Sequence, residues 1–185
     1  WTAQTSGTGN NIIAITYGNG VYVYGATGGV LATSTNGTTW TAQTSGVITD
    51  INSLTYNDGI FVYGSTGVLA TSTNGVTWTL QQTPTSNIIR SIAGSSLPTS
   101  LYGYVAVGDN NITLSSTNAT NWVVRPNSVI PTASIYTLFY GNGLYLYSGQ
   151  FGLIGTSTNG TTWTNQTSGT TSSIYALTYG NGLYV

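Results

Sequence analysis

Short apolar runs, separated by clusters of Gly, Asn, Thr and Ser, recur along the whole chain, and none follows the 3.6-residue period of an amphipathic helix. Ile12-Ile13-Ala14-Ile15-Thr16-Tyr17 is a β-branched run closed by Gly18-Asn19-Gly20, and Val21-Tyr22-Val23-Tyr24 follows directly, which predicts a hairpin. Gly25 to Gly29 breaks the chain, and Val30-Leu31-Ala32-Thr33-Ser34 predicts a third strand. Asn36-Gly37 turns it, and Thr38-Thr39-Trp40-Thr41-Ala42-Gln43 predicts a fourth; Thr2 to Ser6 reads as a polar strand of the same kind. The second strands, Val21-Tyr22-Val23-Tyr24, Ile60-Phe61-Val62-Tyr63 and Leu144-Tyr145-Leu146-Tyr147, are apolar on both faces, so both faces must be covered.

This pattern is a repeat. Ser34-Thr35-Asn36-Gly37-Thr38-Thr39-Trp40 returns as Ser72-Thr73-Asn74-Gly75-Val76-Thr77-Trp78, Ser116-Thr117-Asn118-Ala119-Thr120-Asn121-Trp122 and Ser157-Thr158-Asn159-Gly160-Thr161-Thr162-Trp163, and Trp1 reads as the last residue of a further copy. Successive tryptophans stand 39, 38, 44 and 41 residues apart. A period near forty that holds four short antiparallel strands predicts an all-β fold, a β-propeller of four-stranded antiparallel blades. About five repeats are visible, four complete and one split, in a propeller of that size or as part of a larger one. The whole of 1–185 reads as one domain, with repeats at roughly 7–45, 46–83, 84–127 and 128–168, and with 1–6 and 169–185 sharing the split one. The third residue of each first strand is small (Ala14, Ser53, Ser91, Thr137 and Ala176), as expected where innermost strands converge on an axis. Sixteen residues equivalent to Tyr24 to Thr39 are missing from the split repeat, so either the parent continues beyond both ends or another chain completes that blade.

Charge narrows the function. Asp50, Asp58, Asp109, Arg90 and Arg125 are the charged residues, 3% of 185, against roughly 25% in an ordinary domain. A net charge of -1 offers no basic stripe to a phosphate backbone, which argues against nucleic-acid partners. Without cysteine there is neither a disulfide framework nor a thiolate metal site, and no metal or cofactor is expected. No run approaches the roughly 18 apolar residues of a membrane helix, so membrane insertion is not expected either. The chain starts on Trp1, without a leader, and reads as an excerpt or a processed product. Sequons at Asn36, Asn111, Asn118, Asn159 and Asn165 belong to a chain rich in Asn and Thr, where most arise by chance.

The repeated Ser-x-Asn-Gly-x-Thr-Trp resembles the Asp-box of sialidase-type (BNR) repeats, with Asn36, Asn74, Asn118 and Asn159 at the Asp position and Trp40, Trp78, Trp122 and Trp163 closing the motif. The resemblance implies a turn between the third and fourth strands of a propeller blade, away from any active centre. Physically the motif is self-sufficient: the Asn side chain caps the turn's own amides, Gly supplies positive φ and the Trp packs over the hairpin. Members of that family include sialidases, photosystem assembly factors, sorting receptors and repeat segments of bacterial and phage surface proteins. Sialidase chemistry as the resemblance implies it needs three arginines, a Tyr with a Glu base, and an Asp acid, whereas this chain has two Arg, no Glu and no His. No catalytic residue is therefore assigned.

The third repeat departs most from its siblings. It has Gly94-Ser95-Ser96-Leu97-Pro98 in place of a tight turn, Ala119 in place of the turn glycine, both arginines, and a longer connection from Pro126 to Pro131. Irregular loops on a regular scaffold carry specificity, which makes Arg90, Asp109, Asn110 and Arg125 the candidate ligand-binding residues. Fourteen Tyr and five Trp on a nearly uncharged Asn/Thr/Ser surface suit sugar recognition, although Tyr17, Tyr56, Tyr140 and Tyr179 recur at one place ahead of the turn as core residues do. The leading expectation is a non-catalytic structural or binding propeller of a secreted, cell-surface or virion-surface protein. It would recognise a glycan or surface receptor in a lectin-like, multivalent way, alongside other chains of the same assembly. The alternatives are the non-catalytic portion of a sialidase-like glycoside hydrolase and an assembly-factor propeller.

Overall fold

The computed structural model describes residues 2–95, 103–126 and 132–185. Four antiparallel sheets of four strands each follow one another in chain order, one sheet per repeat. The first unit holds β1 (Ile12–Gly18), β2 (Val21–Ala26), β3 (Leu31–Ser34) and β4 (Thr41–Gln43), and the second holds β5 (Ser53–Asn57), β6 (Ile60–Gly64), β7 (Leu69–Ser72) and β8 (Thr79–Gln81). The third unit is β9 (Ile89–Gly94), β10 (Tyr104–Gly108), β11 (Thr113–Ser116) and β12 (Val123–Val124). β13 (Ile135–Gly141), β14 (Leu144–Gly149), β15 (Ile154–Ser157) and β16 (Thr164–Gln166) form the fourth, and a hairpin of β17 (Tyr179–Gly180) and β18 (Leu183–Tyr184) belongs to a fifth. The architecture is all-β, a β-propeller of four-stranded antiparallel blades.

Local chemistry explains the hairpins. Asn19-Gly20, Asp58-Gly59, Asn142-Gly143 and Asn181-Gly182 all place both central residues at positive φ, 46° to 51° followed by 77° to 82°. That is the mirror-image turn whose twist matches paired strands, and Asn, Asp and Gly are the residues that accept it. Register is the same in every blade: Tyr22 faces Ser34, Phe61 faces Ser72, Tyr104 faces Ser116 and Tyr145 faces Ser157.

Most of the core lies in the seams between units. β1 packs against β5, β5 against β9 and β9 against β13. One cluster joins Val62 and Leu69 of the second unit to Ile89, Ile92 and Tyr104 of the third, and another joins Val23 and Leu31 of the first to Ile51, Phe61 and Tyr63 of the second. A repeat cannot bury its own apolar face, so each is stabilised by its neighbour. The seam is also stitched by backbone: Ile51 N donates to Ala26 O at 3.1 Å, Ile89 N to Ser65 O at 3.0 Å and Ile174 N to Gly149 O at 3.0 Å. Ile51, Ile89 and Ile135 are fully buried, whereas Ile12, at the same place in the first unit, is 45% exposed. The double-sided apolarity of the second strands is met in full, since β2, β6, β10 and β14 are buried over almost their whole length.

Three expectations change. Thr2 to Ser6 form no strand: their counterparts β4, β8 and β16 pair with the third strand of their own unit, and residues 2–6 have no such partner beside them. Thr38, Thr39 and Trp40 belong to the turn, so β4 starts only at Thr41. One of the small first-strand residues, Ser91, faces the neighbouring inner strand: Ser91 Oγ accepts from Leu138 N at 3.1 Å. Expectations resting on Trp1, on Ser96-Leu97-Pro98 and on the connection that ends at Pro131 lie outside the described residues.

Candidate functional site

The repeated turn closes on itself. Asn36 Oδ1 accepts from Thr38 N and Thr39 N, both at 2.9 Å, and from Ser34 Oγ at 3.0 Å, while Ser34 Oγ accepts from Gly37 N at 2.9 Å. Asn74, Asn118 and Asn159 cap the two corresponding amides in the same way. The tryptophans pack inside their own blades, Trp40 on Tyr24 at 4.8 Å, Trp78 on Tyr63 at 5.0 Å and Trp163 on Tyr147 at 4.6 Å between ring centroids. Trp78 Nε1 and Trp122 Nε1 donate to Gly75 O and Ala119 O at 2.9 and 2.8 Å. The Asn oxygen is thus engaged by three donors of its own turn, and the motif builds scaffold.

The four candidates from the third repeat do not converge. Arg90 on β9 and Asp109, just after β10, are brought together by the β9/β10 register, and Nε and Nη2 of the guanidinium grip both carboxylate oxygens, the Nη2 bond being 3.0 Å long. Burial pushes the Asp109 carboxyl up, but hydrogen bonds from Arg90 and Ser134 and the Arg90 charge outweigh it and hold it below its ordinary value. Asn110 Nδ2 donates to Asn87 Oδ1 at 3.1 Å beside that pair. Arg125 follows β12, at the opposite edge of the same sheet from β9, and its Nε donates to Ser115 Oγ at 2.7 Å. Gln43, Gln81 and Gln166 reach the third strand of their blades in the same manner, to Thr33, Thr71 and Thr156 at 2.7 to 2.9 Å. Arg125 therefore fills a recurrent scaffold position.

Arg90 instead belongs to a ring of equivalent residues. Ile13, Asn52, Arg90, Tyr136 and Tyr175, each the residue just after the seam isoleucine of its unit, line one cavity of about 450 Å³. The Arg90 guanidinium stands over the Tyr136 ring, 5.4 Å from its centroid, and Tyr136 stacks on Tyr175 at 4.9 Å with the rings 8° from parallel. The result is a layered stack of cation, ring and ring, with Tyr175 70% exposed at its end. Asp109 neutralises the cation at its Nε and Nη2 edge. Sequence reasoning assigned the axis to the next residue along; the available signal was variability, because the seam position is isoleucine in all five units while this one carries Ile, Asn, Arg, Tyr and Tyr.

A family model described as the DUF6242 beta propeller domain matches residues 2–143. No curated protein matches the chain in sequence. Among solved structures it is similar to virginiamycin B lyase from Staphylococcus aureus, with a TM-score of 0.82 at 14% identity over 97% of this chain and 63% of that one. It is also similar to YCF48 bound to D1 peptide (TM-score 0.63, 18% identity, 89% of this chain and 56% of that one) and to the WD40 beta propeller domain of Doa1 (0.69, 12%, 90% and 57%). The chain spans less than two thirds of each of these three structures, and at such identities the likeness is one of fold.

Proposed function

The chain belongs to the DUF6242 beta propeller domain family, and from that premise we propose that it is a non-catalytic binding platform of a secreted, cell-surface or virion-surface protein, taking a ring-shaped ligand, foremost a sugar of a surface glycan, at the axial cavity. The observation that carries this reading is the convergence of largely unlike side chains, one per unit, on one cavity of a scaffold whose turn and seam positions repeat. A repeated fold needs no variety at that position, whereas a ligand does. The exposed face of Tyr175 suits the apolar face of a sugar ring, and the Asn52 amide suits its hydroxyls. Because Asp109 compensates Arg90, the cavity favours neutral rings over strong anions. The carboxylates serve the scaffold: Asp50 Oδ1 accepts from Gly28 N at 2.9 Å, Asp58 sits in a hairpin turn and Asp109 holds Arg90.

A glycan microarray probed with the multivalently displayed chain is expected to show binding to a subset of glycans. Tyr175→Ala should weaken it at least tenfold while changing stability by less than about 0.5 kcal/mol, since the ring is exposed. An array blank for wild type removes the glycan reading. Binding of an extended peptide instead would favour the assembly-factor alternative, in keeping with the likeness to YCF48 bound to D1 peptide.

A further inference from the structure

Phe151 occupies a backbone conformation that a bulky side chain does not favour, φ 58°, in the 3-10 turn Gln150–Gly152 between β14 and β15. The equivalent residues of the first and third units are Gly28 at φ 66° and Asn110 at φ 53°, the two residue types that best accept the left-handed region. Phenylalanine gains little from burial there, because 62% of it is exposed. A strained, exposed aromatic is paid for by something other than folding.

Phe151 lines a groove of about 620 Å³ between the fourth and fifth units, with Asn165, Gln166, Thr167 and Thr170 along its wall. Every lining group is uncharged. Gln166 Nε2 is held by Thr156 Oγ1 at 2.9 Å, which leaves the Gln166 carbonyl as an acceptor. The same groove recurs between the first and second units, at about 390 Å³, on matching backbone. There Ala42, Val47 and Ile48 stand where the later groove has Asn165, Thr170 and Thr171, and Gly28 stands in place of Phe151. Gln166, Thr167 and Ser168 recur in the first groove as Gln43, Thr44 and Ser45, so what the later copy adds is the aromatic together with the Asn165 amide and the Thr170 and Thr171 hydroxyls.

We infer that the groove between the fourth and fifth units is a second saccharide site, in which Phe151 covers the apolar face of a neutral sugar ring and Asn165, Gln166 and Thr167 bond its hydroxyls. With no cation in its wall the groove does not select anions, and its amides and hydroxyls would go unpaired against an apolar peptide. The ligand class is shared with the axial reading, but the two sites have no residue in common.

The test is an NMR titration of the isotope-labelled chain with lactose, maltose, cellobiose and chitobiose. At least one is expected to bind with millimolar Kd and to move the signals of Phe151 and residues 165–171. Phe151→Asn, the residue the third unit carries, should weaken that binding at least tenfold and leave Tm unchanged or raised by about 2 °C through relief of strain. Tyr175→Ala should leave these signals responsive, so failure of the axial reading is read separately. Four outcomes would overturn the inference: no disaccharide moving the groove signals, undiminished binding by Phe151→Asn, a fall in Tm of more than about 5 °C in that variant, showing a structural ring, or an N-linked glycan found on Asn165 by mass spectrometry, since the groove would then hold the protein's own sugar.

Discussion

Gly160→Ala is expected to cost about 2 to 3 kcal/mol of stability, and Gly37→Ala, at the same place in the repeated turn, only about 1 kcal/mol. Both glycines have almost the same backbone, φ 72° and 73°, so the penalty for a side chain in the left-handed region is common to the pair. They differ in what stands beside them. A Cβ on Gly160 would lie 2.5 Å from Val105 Cγ2 of the preceding unit, whereas one on Gly37 would meet nothing nearer than Tyr22 Cε2 at 4.0 Å. Gly75 repeats the close contact, 2.9 Å from Val23 Cγ2. The turn glycine therefore serves two ends, the conformation of its own blade and close approach to the blade before. Ala119 shows that a methyl is accommodated where the seam has adjusted to it, buried among Val62 and Ile60 at φ 62°. Urea denaturation of the two variants reads the difference directly, and equal losses would mean that the seam is not tight at the turn.

Stability is expected to be flat from about pH 5 to 9 and to fall by about 5 kcal/mol between pH 10 and 12. The chain has no His, Lys, Glu or Cys, so no side chain titrates across the middle of that range. Tyr63 and Tyr104 are buried in the seams, with their hydroxyls donating to Ser45 O and Asn57 O at 2.6 Å, and burial pushes each phenol up to about 12. A folded-state value above the unfolded one, near 10, gives stability that is fully present below pH 10 and lost as pH rises toward 12. A rise from about 10 to about 12 corresponds to about 2 to 3 kcal/mol for each tyrosine. Asp109 acts at the other extreme: held below its ordinary value, it contributes stability present above about pH 4 that is lost as acid protonates it. Chemical denaturation across the pH range checks the profile. Tyr63→Phe should halve the alkaline loss, while a midpoint that drifts steadily through neutrality would contradict the assignment.

The blade was legible because its signals are local. Asn19-Gly20 and its sisters specify the mirror-image turns, and Val21-Tyr22-Val23-Tyr24, apolar on both sides, announces a strand between two neighbours. The site was less legible because radial direction is a tertiary property. Where both faces of a strand are buried, alternation no longer says which residue points to the axis, and the small residues Ala14 and Ser91 were as plausible there as Ile13 and Arg90. Arg90 and Arg125 share a repeat but are separated by the width of a sheet, and only alignment of Arg125 with Gln43, Gln81 and Gln166 identifies its scaffold role. Phe151 follows the same logic, because its strain is visible only beside Gly28 and Asn110.

The central claim is that the repeating turn and seam columns build the fold and the varied column at the axis binds. Thermal unfolding of a variant carrying Arg90→Asn, Asp109→Thr, Tyr136→Asn and Tyr175→Asn, the residues found at equivalent places as Asn52, Thr27 and Thr66, tests it most directly. A cooperative transition within about 5 °C of wild type, together with loss of axial glycan binding, is the predicted result. A collapse of Tm by more than about 15 °C, or binding that survives all four changes, would contradict it.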